Sequence, residues 1–466
     1  MLEVALTGQV LLWLIVLGFF LASGQASLFH PLTFYLFFHG MVFVVRPMLI
    51  HYLHFDTAWI YMKISPTDDG MLKTLAVTSC ALLVFGIVCL TVGRTRTEYQ
   101  TAAPAPFTRD QTNALALTTL LLAPLILYSI KTATGGGMQG EHRGGVFVLT
   151  GASGYTIEAQ YMAGPLICAW LALTRFNWIS LGVTALYIAY RSYTGWSRWT
   201  IILFFLAVSA VYAWQRRSRW LPLWSILLAL PLLILFQTLG HNRSYVQNLL
   251  SGEQVVETTQ PMTSAEAFKL KYDTQEFANF DFLYFILQVV PERTETFTYG
   301  TQYLQLFTEP IPRKLWPGKP AGAPIGFFNL NNYGDFLGLT PSLVGDGWMS
   351  GGWVGVIITV GLVGWLLGLA HRWFWRNAGN NFAALFYMIG IAMLPQWYRD
   401  GGISIAKFFF WNLSPLILWL GVSWLMGSRL VPAYSVRVPR NLRLHLVPAR
   451  AASASRNGAG PDSQPR

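Results

Sequence analysis

Long apolar segments alternate with short polar loops through most of this chain. We place the apolar segments at residues 4–23, 28–50, 72–93, 113–132, 157–174, 176–190, 198–214, 220–239, 353–370, 381–396 and 403–425. A helix needs about 20 apolar residues to cross a bilayer, and helices or closed barrels satisfy their backbones in lipid. Because the hydrophobicity is continuous and does not alternate, it favours helices over a barrel. The pattern therefore predicts an all-α, polytopic membrane protein with about eleven transmembrane helices.

One long polar stretch interrupts this alternation after the eighth segment and divides the chain into four regions. Residues 1–239 are predicted to form an N-terminal bundle of about eight helices, and residues 353–426 the C-terminal transmembrane helices. Between them, residues 240–352 form a large loop, in which the apolar run 280–290 is too short to span and predicts a re-entrant or interfacial helix. Residues 427–466 form an Arg-rich tail that we predict to be disordered.

The distribution of positive charge predicts the orientation. The short loops on one side hold Arg94, Arg96, Arg109, Arg175, Arg216, Arg217, Arg219, Arg372 and Arg376. The tail adds seven further arginines on that same side, which should be the cytoplasm because positive loops stay inside. The large loop is then expected on the extracytoplasmic face, which in a bacterium faces the periplasm.

Composition narrows the class of protein further. The chain is 53% hydrophobic and only 11% charged, where a soluble domain carries about a quarter charged residues. The net charge of +11 does not indicate nucleic-acid binding, because much of the excess lies in the tail, which is expected to lie on anionic lipid. No nucleotide-binding or metal-ligand motif is present in the sequence, so we expect a bilayer partner, no nucleic acid and no cofactor.

The most distinctive local pattern is a proline-rich string of cations in the large loop. Arg313, Lys314 and Lys319 lie within seven residues beside Trp316, and prolines at 310, 312, 317 and 320 restrict the backbone around them. Restricted cations beside an aromatic ring suit a diphosphate next to a glycan or a polyprenyl chain. The alternative is a rigid surface strap whose cations face water.

Other candidate residues lie in loops on the same face. They are Arg143 in a glycine-rich loop, Arg191 in an aromatic turn, His241 and Arg243 after the eighth segment, Asp346, and the pair Arg399–Asp400. Each cation offers a phosphate ligand, and each carboxylate or imidazole offers a proton acceptor. Alternatives stay open: a solvated loop for Arg143, interfacial anchoring around Arg191, and a structural ion pair for Arg399.

Several of these motifs resemble those of one bacterial family. The string Pro312-Arg313-Lys314-Leu315-Trp316-Pro317-Gly318-Lys319-Pro320, followed by Thr340-Pro341-Ser342, Gly345-Asp346 and Gly351-Gly352-Trp353-Val354-Gly355, is similar to Wzy-type oligosaccharide repeat-unit polymerases. The pair Arg399–Asp400 also looks similar, and the matching features cover about residues 240–425. The Arg-rich tail does not belong to this pattern.

The resemblance implies an inner-membrane glycosyltransferase that joins polyprenyl-diphosphate-linked oligosaccharide units by an inverting-type transfer on the extracytoplasmic face. It implies a flippase and a chain-length regulator as pathway partners. We expect Asp346, Arg313, Arg399 and Asp400 to be catalytic. We expect the substrate to be bound by Arg143, Arg191, Arg243, Lys314, Trp316, Lys319 and His241.

Three other functions compete with this one. An O-antigen ligase uses the same donor but a lipid A core acceptor, and would be expected to depend on a loop histidine such as His142 or His241. A flippase or exporter of lipid-linked glycan would be expected to carry cations along its spans, whereas most outward cations here lie in loops. A structural membrane component has no need of the proline-restricted cations.

Overall fold

The described part of the chain is a helical bundle whose longest members are apolar. In this computed structural model the described residues are 1–95, 104–137, 140–143, 146–149, 154–194, 198–225, 227, 268–269, 272–273, 278–308, 316, 327–334 and 339–427. One compact unit extends over Met1–Val431. A second unit, Pro432–Arg466, lies outside the described residues, so the disorder of the tail stays a prediction.

The helices follow one another along the chain with few long gaps. Their bounds are α1 Leu2–Ala22, α2 Pro31–His39, α3 Arg46–Leu53, α4 Thr57–Met62, α5 Asp68–Val92, α6 Arg109–Thr132, α7 Gly154–Glu158, α8 Ala163–Thr174, α9 Trp178–Thr194, α10 Arg198–Gln215, α11 Asn279–Val289, α12 Gln305–Thr308, α13 Ser342–Arg376, α14 Asn381–Ala392, α15 Leu394–Asp400 and α16 Gly402–Leu425. A π-helical segment, Gly40–Val45, joins α2 to α3 without a break.

Within the described residues, six helical segments are long and apolar enough to cross a membrane. They are Leu2–Ala22, Pro31–Leu53, Asp68–Val92, Arg109–Gly135, Ser342–Arg376 and Ile405–Leu425. They coincide with the first, second, third, fourth, ninth and eleventh apolar segments of the sequence. The predicted helical architecture is therefore confirmed in its coarse form, and it indicates a multi-pass membrane protein.

Four of the remaining five predicted spans are shorter or broken and the fifth is largely outside the described residues, so a count of eleven stays a prediction. The segment 157–174 is divided among α7, a 3-10 turn and α8, and the segment 381–396 breaks at Met393 between α14 and α15. Helices α9 and α10 occupy the segments 176–190 and 198–214. Most of the segment 220–239 lies outside the described residues.

One small β-hairpin departs from the all-helical expectation. Strand β1, Gly140–Arg143, pairs antiparallel with strand β2, Val146–Leu149, so that Gly140 faces Leu149 and Arg143 faces Val146. The two strands lie in the loop that the sequence identified as glycine-rich.

Helices α5 and α13 pack against each other and run parallel. A Cβ added at Gly361 would lie 3.4 Å from Val84, and one added at Gly368 would lie 3.0 Å from the backbone of Gly93. Between these two contacts, Gly364 approaches Phe85. Three glycines on one face of α13 let the two helices approach closely, as small residues commonly do between membrane helices.

Helix α13 is broken near its start, and the break folds its first part back on the rest. Gly352 has φ +60° and ψ −137°, a conformation that a residue with a Cβ rarely adopts. A Cβ at Gly347 would lie 2.8 Å from the Cα of Val356. In a straight helix, Gly347 and Val356 would be about 13 Å apart along the axis. The fold therefore returns residues 342–350, which include Asp346, into the bundle.

Helix α11 is the apolar run that the sequence identified at 280–290. Every side chain in it is buried except Gln288. Its neighbours are α4, α5, α13 and the π-helical segment. A helix of 11 residues is too short to span a bilayer, so its burial within protein, and not its length, explains its apolar composition.

Candidate functional site

Asp346 lies in a buried position where two distant parts of the chain meet. Its side chain is 1% exposed, and its Oδ2 accepts a 2.7 Å hydrogen bond from the backbone N–H of Gly402. Gly401, between α15 and α16, has φ +84°, and a Cβ there would overlap the Asp346 carboxylate. Within the part of the chain that the structure describes, no lysine or arginine nitrogen lies at salt-bridge distance from this carboxylate.

A second wall of the Asp346 site comes from the 3-10 turn Thr301–Leu304. The Nε2 of Gln302 donates a 2.5 Å hydrogen bond to the Oγ of Ser350, which in turn donates to the Asp346 carbonyl at 2.7 Å. The Tyr303 ring lies beside Gly402, 3.2 Å from where a Cβ would be. Burial, followed by the charge of Asp346, raises the pKa of Tyr303, so its phenol stays protonated at neutral pH.

Arg399 and Asp400 close α15 immediately before that glycine pair. Arg399 Nη1 donates to Asp400 Oδ1 at 3.1 Å, and Gln396 Nε2 donates to Asp400 Oδ2 at 3.1 Å. The guanidinium carbon lies 4.9 Å from the centre of the Trp199 ring. Both charged side chains are about one-tenth exposed. The Arg399–Asp400 ion pair, which the sequence analysis gave as an alternative, is therefore present. It immediately precedes the Gly401–Gly402 backbone that contacts Asp346.

Three of the four residues that the sequence predicted to be catalytic lie in two chain segments that meet at this contact. Asp346 comes from α13, whereas Arg399 and Asp400 come from the end of α15, and the Gly401–Gly402 backbone joins the two. A buried carboxylate without a cation partner can accept a proton from a hydroxyl group. A planar guanidinium can bind phosphate oxygens. The fourth residue, Arg313, lies outside the described residues.

Arg191 is enclosed by protein instead of facing an open loop. It is 1% exposed, and its guanidinium donates to Gln160 Oε1 at 2.7 Å and to Thr200 Oγ1 at 2.8 Å. It also lies 5.2 Å from the centre of the Tyr161 ring. Thr200 follows Trp199, so Arg191 and Arg399 contact consecutive residues of the first turn of α10. Substrate binding by Arg191 remains a prediction.

The other predicted binding residues are only partly described. Trp316 is 40% exposed, and Arg143 is the last residue of β1. Arg243, His241, Lys314 and Lys319 lie outside the described residues, together with Arg313. The roles assigned to these side chains remain predictions from the sequence.

The structure adds one charged cluster that the sequence analysis missed. Arg46, inside the second apolar segment, is 1% exposed and donates to both oxygens of Asp281 at 2.8 and 2.9 Å. It also donates to Asp273 Oδ1 at 2.7 Å. Asp273 Oδ2 in turn accepts from the backbone N–H groups of Asp56 and Thr57 at the start of α4. An arginine within an apolar span was a usable signal, since such a charge needs a partner.

The pKa values of the two carboxylates that bind Arg46 shift in opposite directions. For Asp273, burial raises the pKa, but the charge of Arg46 and the hydrogen bonds from Arg46 and Thr57 outweigh burial and hold the pKa below its usual range. For Asp281, burial raises the pKa more than the charge of Arg46 lowers it. One positive charge thus serves two buried acids, and its loss would leave both without a cation.

Comparison of the chain with protein-family models, with curated proteins and with solved structures gives no match.

Proposed function

We propose that this chain is a membrane glycosyltransferase that joins polyprenyl-diphosphate-linked oligosaccharide units into a surface or secreted polysaccharide. The observation that carries the proposal is the meeting of Asp346 with the backbone that follows Arg399 and Asp400. The sequence selected these residues for separate chemical reasons, and 56 positions separate Asp346 from Gly402. A proton acceptor and a phosphate ligand at one buried place are what such a transfer needs.

In the proposed reaction, a hydroxyl of the acceptor sugar attacks the anomeric carbon of the donor glycan. The bond from that carbon to the diphosphate oxygen breaks, the configuration inverts, and polyprenyl diphosphate leaves with the bonding electron pair. Asp346 accepts the proton of the attacking hydroxyl. Arg399, oriented by Asp400 and the Trp199 ring, stabilises the negative charge that develops on the leaving diphosphate.

We place this site on the extracytoplasmic face of a bacterial inner membrane, with the tail in the cytoplasm. The distribution of arginines among the short loops supports that orientation. A flippase and a chain-length regulator are the pathway partners that the resemblance implies.

An O-antigen ligase is the second candidate, because it breaks the same donor bond and would use the same two groups. The acceptor alone distinguishes it. A flippase is less well supported: Arg46 lies in a candidate span, but the carboxylates of Asp273 and Asp281 bind its guanidinium, as in a structural ion cluster.

The test is to delete the gene and separate the surface and secreted glycans on a gel. A polymerase predicts single repeat units without a ladder. A ligase predicts carrier-linked polymer that never reaches lipid A core. Restoration by the wild-type chain but not by Asp346→Asn would connect either result to this site, and an unchanged glycan pattern would refute both functions.

A further inference from the structure

Helix α11 carries two polar residues in its first turn, and they contact different parts of the protein. Asn279 is 3% exposed and Asp281 is fully buried, whereas the rest of the helix is almost entirely apolar. Buried polar side chains of this kind need hydrogen-bond partners. Each finds partners far away in the sequence, so this one turn joins several segments.

Asn279 connects the two segments that carry the candidate site. Its Nδ2 lies 2.7 Å from the carbonyl oxygen of Thr340 and 3.1 Å from the carbonyl oxygen of Arg399. The Thr340 hydroxyl also donates to the Arg399 carbonyl at 3.0 Å. Thr340 precedes the helix that holds Asp346, and Arg399 is in the last turn of α15. One amide and one hydroxyl therefore connect both segments directly.

Asp281 fixes the helix from which Asn279 makes these bonds. Both of its oxygens accept from Arg46, in the second apolar segment. Rotation of α11 about its axis would break this two-point contact. The position of the Asn279 amide is thus set by a span that contributes no residue to the site.

We propose that Asn279 is a positioning residue that fixes Arg399 relative to Asp346. The proposal rests on the proposed function, since it concerns the same site. Asn279 contacts the backbone of Arg399 and not its guanidinium. Its loss should therefore misplace the reacting groups without removing a substrate contact. A displacement near 1 Å can cost about 100-fold in rate.

One substitution at Asn279 and a matched pair at Thr340 separate positioning from loss of folding. Asn279→Asp keeps the size of the side chain but replaces the donating amide by an oxygen that faces two carbonyl oxygens. Thr340→Val removes the hydroxyl that donates to Arg399, and Thr340→Ser retains it. The Thr340 pair tests the same positioning role even if Asn279→Asp does not accumulate in the membrane.

The experiment measures polymer formation by purified protein, with lipid-linked glycan extracted from cells that lack this chain as the substrate. For Asn279→Asp and Thr340→Val we expect kcat to fall about tenfold or more while KM changes by less than about twofold. Thr340→Ser should restore most of kcat. A structural role alone would lower the yield of folded protein and leave kcat per folded molecule unchanged.

The outcomes distinguish this inference from the function on which it rests. If the wild-type protein forms polymer and both matched variants do so at the same kcat, the positioning role is refuted and the function stands. A raised KM at unchanged kcat would also refute it, because it would make Asn279 a substrate contact. If the wild-type protein forms no polymer, the proposed function fails first.

Discussion

The Asp346 carboxylate accepts a 2.7 Å hydrogen bond from the backbone N–H of Gly402, at the junction of α15 and α16. This contact is possible because Gly401 has no side chain: a Cβ at that position would overlap the carboxylate. The glycine pair that the sequence shows after Asp400 therefore has a specific structural reason. It allows the backbone to reach a buried acid.

Substitution of Gly401 should disturb the site directly. Its φ of +84° and ψ of +177° lie in a region that is essentially restricted to glycine. Gly401→Ala would add strain of about 1–3 kcal/mol and displace the Asp346 carboxylate. We expect loss of polymer, measured on a glycan gel of complemented deletion cells. Gly421→Ala is the matched control, because a Cβ at Gly421 in α16 meets nothing within 4 Å; equal polymer from both variants would contradict this role of Gly401.

Asp346→Asn should abolish proton acceptance while preserving the shape of the side chain. Loss of a general base typically lowers the rate about 10²- to 10⁴-fold. We expect that fall in kcat for purified protein, with membrane abundance close to the wild-type value on an immunoblot. Asp110→Asn is the control, since Asp110 is exposed at the start of α6. Full activity in Asp346→Asn would remove Asp346 from the reaction.

Arg399 should not tolerate replacement by lysine. Its guanidinium lies over the Trp199 ring and pairs with Asp400, and an ammonium group reproduces neither the planar stacking nor a bidentate grip on phosphate. We expect Arg399→Ala to lower kcat about 10²- to 10³-fold and Arg399→Lys to recover only a small part. Arg216→Lys, at an exposed arginine stacked on Tyr212, controls for the substitution. Wild-type rates in Arg399→Lys would show that charge alone suffices.

The buried charges around Arg46 predict an effect on the stability of the fold. Arg46→Met would leave Asp273 and Asp281 buried without their cation. Breaking such a cluster from one side costs about 3–5 kcal/mol. We expect a lower apparent melting temperature in detergent, and a smaller decrease when Asp273→Asn and Asp281→Asn are added. A triple variant that is less stable than Arg46→Met alone would contradict this explanation.

The sequence predicted the long helices well because length and continuous hydrophobicity determine them. It could not reveal that α13 folds back at Gly351–Gly352, since glycines at the start of an apolar run occur in straight helices too. The segment 381–396 also looked continuous, although the structure breaks it at Met393. The residue composition of a segment does not show at which residue its helix ends.

The candidate site was predictable residue by residue but not as an arrangement. Cations and acids in an apolar chain are conspicuous, and Asp346, Arg399 and Asp400 were identified for that reason. Asn279 gave no signal, because an asparagine in a loop is ordinary until its partners are known. Arg46 was overlooked because its acids are 227 and 235 positions away, a pairing that only the tertiary fold reveals.

The most direct test of the central claim is reconstitution with purified components. Wild-type protein and the Asp346→Asn variant would each be incubated in detergent or vesicles with lipid-linked oligosaccharide extracted from deletion cells. We predict that the wild-type chain alone converts single units into a ladder and releases polyprenyl diphosphate, and that Asp346→Asn leaves the single units unchanged. Single units that persist with wild-type protein of proven folded state, or a ladder of equal rate from the variant, would contradict the account.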